Sequence, residues 1–185
     1  MTSRRYRVIQ WATGNTGTRA LREIIRDPMF ELVGVMAHNP EKEGVDAGDL
    51  CGEPTTGIKA TTDRAKILAL EADCVVYTPT ATGSGVSRAG LSEEQVVEDV
   101  VAMTAAGKSI VTSCTDFFAY GERFGEANLA RILAACKKSG ASIYATGSDP
   151  GFITEMVPLA FLSIQRTVEL IEIEEYGDLR FRPSP

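Results

Sequence analysis

The stretch that most constrains this chain is YRVIQWATGNTGTRALREII, Tyr6 to Ile25. Tyr6 to Trp11 is an apolar run with β-branched Val8 and Ile9, which predicts a buried strand. From Thr16 onward, Ala20, Leu21, Ile24 and Ile25 recur at helical spacing, while Arg19, Arg22, Glu23 and Arg26 take the opposite face. Between strand and helix lies Ala12-Thr13-Gly14-Asn15-Thr16-Gly17. In the fingerprint G-x-G-x-x-G the first glycine makes a tight turn and the second lets backbone amides approach a pyrophosphate. The third lets helix and strand pack closely, with phosphate at the helix N-terminus. This chain keeps the second and third as Gly14 and Gly17 and carries alanine at the first. A strand before the turn, a helix after it and a second strand at βαβ distance favour dinucleotide binding over a purely structural turn.

That second strand is Glu31 to Ala37. A polar, glycine-rich connection follows, with one helical turn near Ala47 to Leu50, and Ile58 to Thr61 forms a short third strand. Asp63 to Leu70 reads as a helix, and DCVVYTP as a buried strand ending at Thr78-Pro79. Ser92 and Gln95 fit a capping box that opens a helix running to Ala106, with Gly107 as its stop. SIVTS is a strand, Glu126 to Lys138 a helix, and ASIYATG another strand. This alternation predicts an α/β fold, a Rossmann-type doubly wound parallel sheet, over residues 1–150. Ligands in such sheets bind at the carboxyl ends of strands. Ala12 to Gly17, His38, Thr78, Pro79, Thr80, Ser113, Cys114 and Thr115 are therefore expected around one crevice. Residues 151–185 read as a linker helix followed by Thr167 to Tyr176, the first strand of an incomplete second α/β domain for substrate or oligomerisation.

Several classes of function are disfavoured. The net charge of −6 comes from interspersed acids and bases, so nothing attracts nucleic acid. The longest late apolar stretch, GFITEMVPLAFLSI, contains Glu155 and Pro158 and is too short to span a bilayer. With no export signal, the scattered Cys51, Cys74, Cys114 and Cys136 read as reduced thiols, which predicts a cytoplasmic protein. No His/Cys cluster has metal-ligand spacing. AAGKS, Ala105 to Ser109, lacks the upstream glycine of a nucleotide P-loop and precedes a strand instead of following one.

The tip of the second strand reads the cofactor ribose, and in NAD sites an acid there often holds the 2′-hydroxyl. Here it carries Ala37-His38-Asn39-Pro40, with Glu41, Lys42 and Glu43 just beyond. The missing acid leaves room for a 2′-phosphate with Lys42 as its partner, while Glu41 and Glu43 oppose one. The balance tips toward NADP over NAD. His38 either meets the adenosine or is a solvated loop histidine. Cys114, with no base nearby to stabilise a thiolate, reads as a small residue beside the nicotinamide. Asp149 and Glu155 flank DPGFITE. One account gives them a helix cap and a favourable place at a helix N-terminus; the other makes one of them a contact for a substrate ammonium.

VIQWATGNTG, AGDLCG, DCVVYTPT, GKSIVTSCTDFF and GSDPGFITEMVPL together resemble the dihydrodipicolinate reductase-like NAD(P)-binding enzymes. The resemblance is nearest to their 2,4-diaminopentanoate and amino-acid dehydrogenase members, and covers nearly the whole chain as the N-terminal portion of a longer protein. It implies an NAD(P)-dependent oxidoreductase acting on a carbon that bears an amino group in a small amino acid-like substrate, and a homo-oligomer. A nucleotide-binding module without turnover is the alternative. Dihydrodipicolinate reductase proper carries a histidine-rich motif, and with His38 as its single histidine this chain departs from it. That particular activity is disfavoured. The family's substrate domain follows the Pro-Gly-Phe segment, so its catalytic residues cannot be carried over.

Overall fold

The computed structural model describes residues 4–80, 90–114, 118, 121–174, 176, 178 and 180. Six parallel strands form one sheet: β1 (Tyr6–Trp11), β2 (Phe30–Met36), β3 (Ala60–Thr61), β4 (Cys74–Tyr77), β5 (Ser109–Thr112) and β6 (Ile143–Ala145). Their order is β3-β2-β1-β4-β5-β6. The chain winds outward from β1 in one direction and then from β4 in the other, so the switch point lies between those two strands. A crevice opens there at the carboxyl edge.

Helices cover both faces: α1 (Asn15–Arg26), α2 (Ala47–Cys51), α3 (Arg64–Ala69), α4 (Glu93–Ala105) and α5 (Gly125–Ser139). Alternation along the strands divides their side chains between two cores. Val35 and Ala37 pack with Leu21 of α1 and with Ala47 and Cys51 of α2. Ile9, Trp11, Val75, Tyr77 and Ile110 pack on the other face with Val96, Val97, Val100 and Met103 of α4, Ile67 of α3 and Ile132 of α5. The capping box at Ser92 and Gln95 is formed in both directions, and Gly107 turns the chain with φ 77°.

One ion pair is drawn inward. Asp99 of α4 is buried and accepts from Arg64 Nε at 2.6 Å and from the Tyr77 hydroxyl at 3.2 Å. It therefore ties α3 and α4 to the end of β4. Burial pushes the Tyr77 hydroxyl pKa far upward, with the Asp99 charge adding to it, so this group stays a donor.

The connection from β2 to β3 is organised by Asp46, which caps α2. Its carboxylate accepts from the amides of Gly48 (2.8 Å), Thr56 (2.9 Å) and Gly57 (2.8 Å). Lys59 pairs antiparallel with Asp46, which explains why β3 is shorter than the expected Ile58 to Thr61.

Beyond β6, Ser148–Met156 forms a wide helical stretch that is non-helical at Asp149, Pro150 and Gly151, and α6 (Val157–Leu162) follows. The expected strand at Thr167 to Tyr176 is not formed among the described residues. Its apolar and acidic alternation fits a strand, but a strand needs a ladder partner and the segment meets none among the described residues. Leu170 and Tyr176 stand exposed there.

The amide bonds to Asp46, led by the one from Thr56, hold its carboxyl below the ordinary pKa. Asp46→Ala should cost about 1–2 kcal/mol in urea unfolding near neutral pH. Because the folded pKa is the lower one, this contribution is complete above the unfolded value of about 3.9 and disappears as pH falls through the folded value. The gap between wild type and variant should therefore close in acid.

Candidate functional site

The site begins where β1 stops. Ala12 takes φ 77°, the left-handed conformation that the fingerprint's first glycine would adopt without a Cβ penalty. The turn is held from several directions. The Ala12 N–H donates to Met36 O at 2.9 Å and the Thr78 N–H to Trp11 O at 3.0 Å. Fully buried Gln10 extends its Nε2 beneath the turn, donating to Ala12 O at 2.8 Å and to Thr78 Oγ1 at 2.9 Å.

The two glycines divide the remaining work. A Cβ on Gly17 would lie 2.2 Å from Ala12 O and 2.8 Å from Thr78 Oγ1, so only glycine lets α1 approach β1 this closely. A Cβ on Gly14 would meet nothing within 4 Å. Gly14 is also the N-cap residue of α1, supplies no side-chain cap, and is followed by a first turn without an acidic residue. The positive end of the helix is therefore not compensated from within α1, as an anion site requires.

Around this turn lies a cavity of about 410 Å³. Ala12, Thr13, Gly14, His38, Asn39, Lys42, Thr78, Pro79, Thr80, Gly90 and Leu91 line it. The volume lies within the range of about 300–1,000 Å³ usual for small-molecule and cofactor sites. The structure thus brings together most of the residues expected at the crevice, from the ends of β1, β2 and β4. Gly90 and Leu91 are additions; the Leu91 N–H donates to Thr80 O at 2.8 Å and closes the far wall.

Asn15 and Thr16 continue from the turn as exposed residues of the first turn of α1. Ser113 and Cys114 stand at the carboxyl end of β5, on the same edge of the sheet but outside the cavity lining. Cys114 packs against the larger core, and its N–H donates to Thr112 Oγ1 at 2.9 Å. Thr115 and the Gly/Ser/Thr-rich stretch 81–89 lie outside the described residues. Asp149 and Glu155 are both exposed beyond β6. Asp149 does not act as the expected helix cap: the Phe152 N–H goes to Gly147 O at 2.8 Å and the Gly151 N–H to Thr154 Oγ1 at 3.0 Å.

His38 sits at the cavity mouth, where desolvation pulls its pKa below the ordinary value against an opposing pull from Asp99. Lys42 belongs to a 3-10 turn, Pro40–Lys42, capped by Asn39 Oδ1. Its ammonium donates to Thr13 O at 2.6 Å and to Thr13 Oγ1 at 3.2 Å. Among the described residues no cluster of His, Cys, Asp and Glu could hold a metal ion, and no helix is long and apolar enough to cross a membrane.

Residues 8–141 match the family described as dihydrodipicolinate reductase, N-terminus. The chain belongs to that family. An amine dehydrogenase of Streptomyces virginiae is 31% identical over 180 residues, which is 96% of this chain and 47% of the relative. The chain thus spans about half the length of the curated relative it matches. Among solved structures, an amine dehydrogenase from Mycobacterium smegmatis superposes with a TM-score of 0.69 at 23% identity, over 84% of this chain and 43% of that one. GenD2 from gentamicin A biosynthesis, solved in complex with NAD, gives 0.58 at 19% identity, over 90% of this chain and 41% of its own. These superpositions agree with the Rossmann-type α/β fold.

Gln10 and Lys42 show how much of the site is tertiary. The sequence reading passes over Gln10, and its signal is a polar residue among the buried Val8 to Trp11. The contrast between the glycines is testable. Gly17→Ala should destabilise the chain by about 1–3 kcal/mol through overpacking against the Ala12 carbonyl. Gly14→Ala, facing open space at φ −76°, should cost less, under about 1 kcal/mol, the penalty of alanine at a helix N-cap.

Proposed function

We propose that the cavity binds the pyrophosphate and adenosine of NAD(P), and that the protein is an oxidoreductase acting on a carbon that bears an amino group. The observation that carries the first half is the geometry at Gly14. An open N-terminus of α1, a backbone position that a side chain would fill, and a cavity of cofactor size meet at the switch point of the sheet. The second half is supported by family membership and by the relative named amine dehydrogenase.

When bound, the nicotinamide supplies hydride transfer at its C4 position. The part of this chain is to hold the dinucleotide. Gly14 and the first-turn amides of α1 face the phosphates, while His38 and Asn39 meet the ribose and adenine side. Thr78, Pro79 and Thr80 form the wall toward the nicotinamide half.

Asp149 and Glu155 are the chain's own candidates for contacting the substrate ammonium, since both follow β6 on exposed backbone near the carboxyl edge. Apolar Phe152, Ile153, Met156, Leu159 and Phe161 are exposed along the same segment, which suits a surface that meets a second domain or subunit. A homo-oligomer with the substrate site completed beside this segment is consistent with that exposure.

Titration of reduced-nucleotide fluorescence tests the reading. Wild type should bind NADH or NADPH, and Gly14→Val should lose that binding at temperatures where it is still folded, its melting point lowered by only a few degrees as an N-cap substitution. Equal binding by the variant would return the turn to a purely structural role. Binding without consumption of NAD(P)H, when carbonyl compounds and ammonia are supplied, would favour a nucleotide-binding module.

A further inference from the structure

The sequence expectation gives Lys42 the task of meeting a 2′-phosphate, but its geometry assigns a different one. Its ammonium is held against the main chain of the phosphate turn, 2.6 Å from Thr13 O and 3.2 Å from Thr13 Oγ1. A charged donor on a carbonyl at that distance is a strong, charge-assisted hydrogen bond. To follow a 2′-phosphate the ammonium would have to loosen it. The backbone beneath Lys42 is fixed as well, because Asn39 Oδ1 accepts from the Glu41 N–H at 3.0 Å at the start of the same 3-10 turn.

The surroundings are those of an uncharged ribose. Asn39 Nδ2 holds the Glu41 carboxylate at 3.2 Å, placing a negative charge beside the tip of β2. Glu43, a second carboxylate on this loop, accepts from both the amide and the hydroxyl of Thr62. His38, below its ordinary pKa, is mostly neutral near pH 7 and adds no cation. Among the described residues no arginine lines the cavity.

We infer that Lys42 is a positioning residue of the phosphate turn, clamping Thr13 so that Gly14 and the start of α1 face the pyrophosphate, and that NADH and NADPH depend on it equally. This rests on the reading of the cavity as a dinucleotide site. The clamp works with Gln10: one donor holds the turn at the Ala12 carbonyl from the core side, the other at the Thr13 carbonyl from the ribose side. A turn kept in a left-handed conformation at alanine gains from restraint on both of its peptide groups.

The experiment compares wild type, Lys42→Met and Lys42→Arg in the full chain, with NADH and NADPH as probes and thermal melting without nucleotide as control. Lys42→Met keeps the length and removes the donors. It should weaken both dinucleotides by about tenfold, leaving the ratio of the two Kd values within about twofold of wild type. Melting should fall by a few degrees at most, so that the variant is fully folded at the titration temperature, and Lys42→Arg should recover most of the lost affinity. Selective loss of NADPH binding would overturn the inference, as would unchanged affinity for both or a loss seen only where the variant has begun to unfold. Failure of the dinucleotide reading is seen separately and earlier, as wild type that binds neither probe.

Discussion

Where β1 ends, the carbonyl of Ala12 lies so close to Gly17 that a single added methyl group would sit 2.2 Å from it. The approach brings the start of α1 down onto the carboxyl edge of the sheet, so the helix begins at the floor of the cavity and not above it. The left-handed backbone at Ala12 and the Gln10 amide under its carbonyl belong to the same constraint. Thr78 joins it to the neighbouring strand, accepting from Gln10 and donating from its N–H to Trp11 O. If α1 stood farther away, Gly14 would no longer be a helix N-cap at the cavity.

The charged groups follow from this packing. Asp99 is drawn into the protein because Arg64 and the Tyr77 hydroxyl both reach it, and Tyr77 is the residue immediately before Thr78. Taking the Asp99 charge out of water costs much of what its pairing returns, so an ion pair of this kind positions elements more than it stabilises them. Here it fixes the end of β4 relative to α3 and α4. The wall opposite the glycine turn is thus set by an interaction that never enters the cavity.

Periodicity and turn chemistry made the order of elements legible. The apolar run of Tyr6 to Trp11, the stop at Gly107 and the capping box at Ser92 each depend on residues a few positions apart, and the structure reproduces all three. The glycine turn could be read for the same reason. What could not be read depends on partners far away in the chain. The bond from Lys42 to Thr13 spans 29 positions and that from Gln10 to Thr78 spans 68. Thr167 to Tyr176 marks the opposite limit. Its local pattern suits a strand, but pairing is a property of two segments, and the described residues bring it no second one.

Trp11 is the chain's single tryptophan. It is almost fully buried, 6.1 Å from the Tyr77 ring between centroids, and immediately precedes the left-handed turn. Its indole therefore gives one emission signal from one place, the end of the strand that carries the glycine turn. That makes the molecule its own optical probe. Excitation energy absorbed by the indole passes to any nearby group that absorbs its emission, so quenching of the native emission reports on what enters the adjoining cavity without a label.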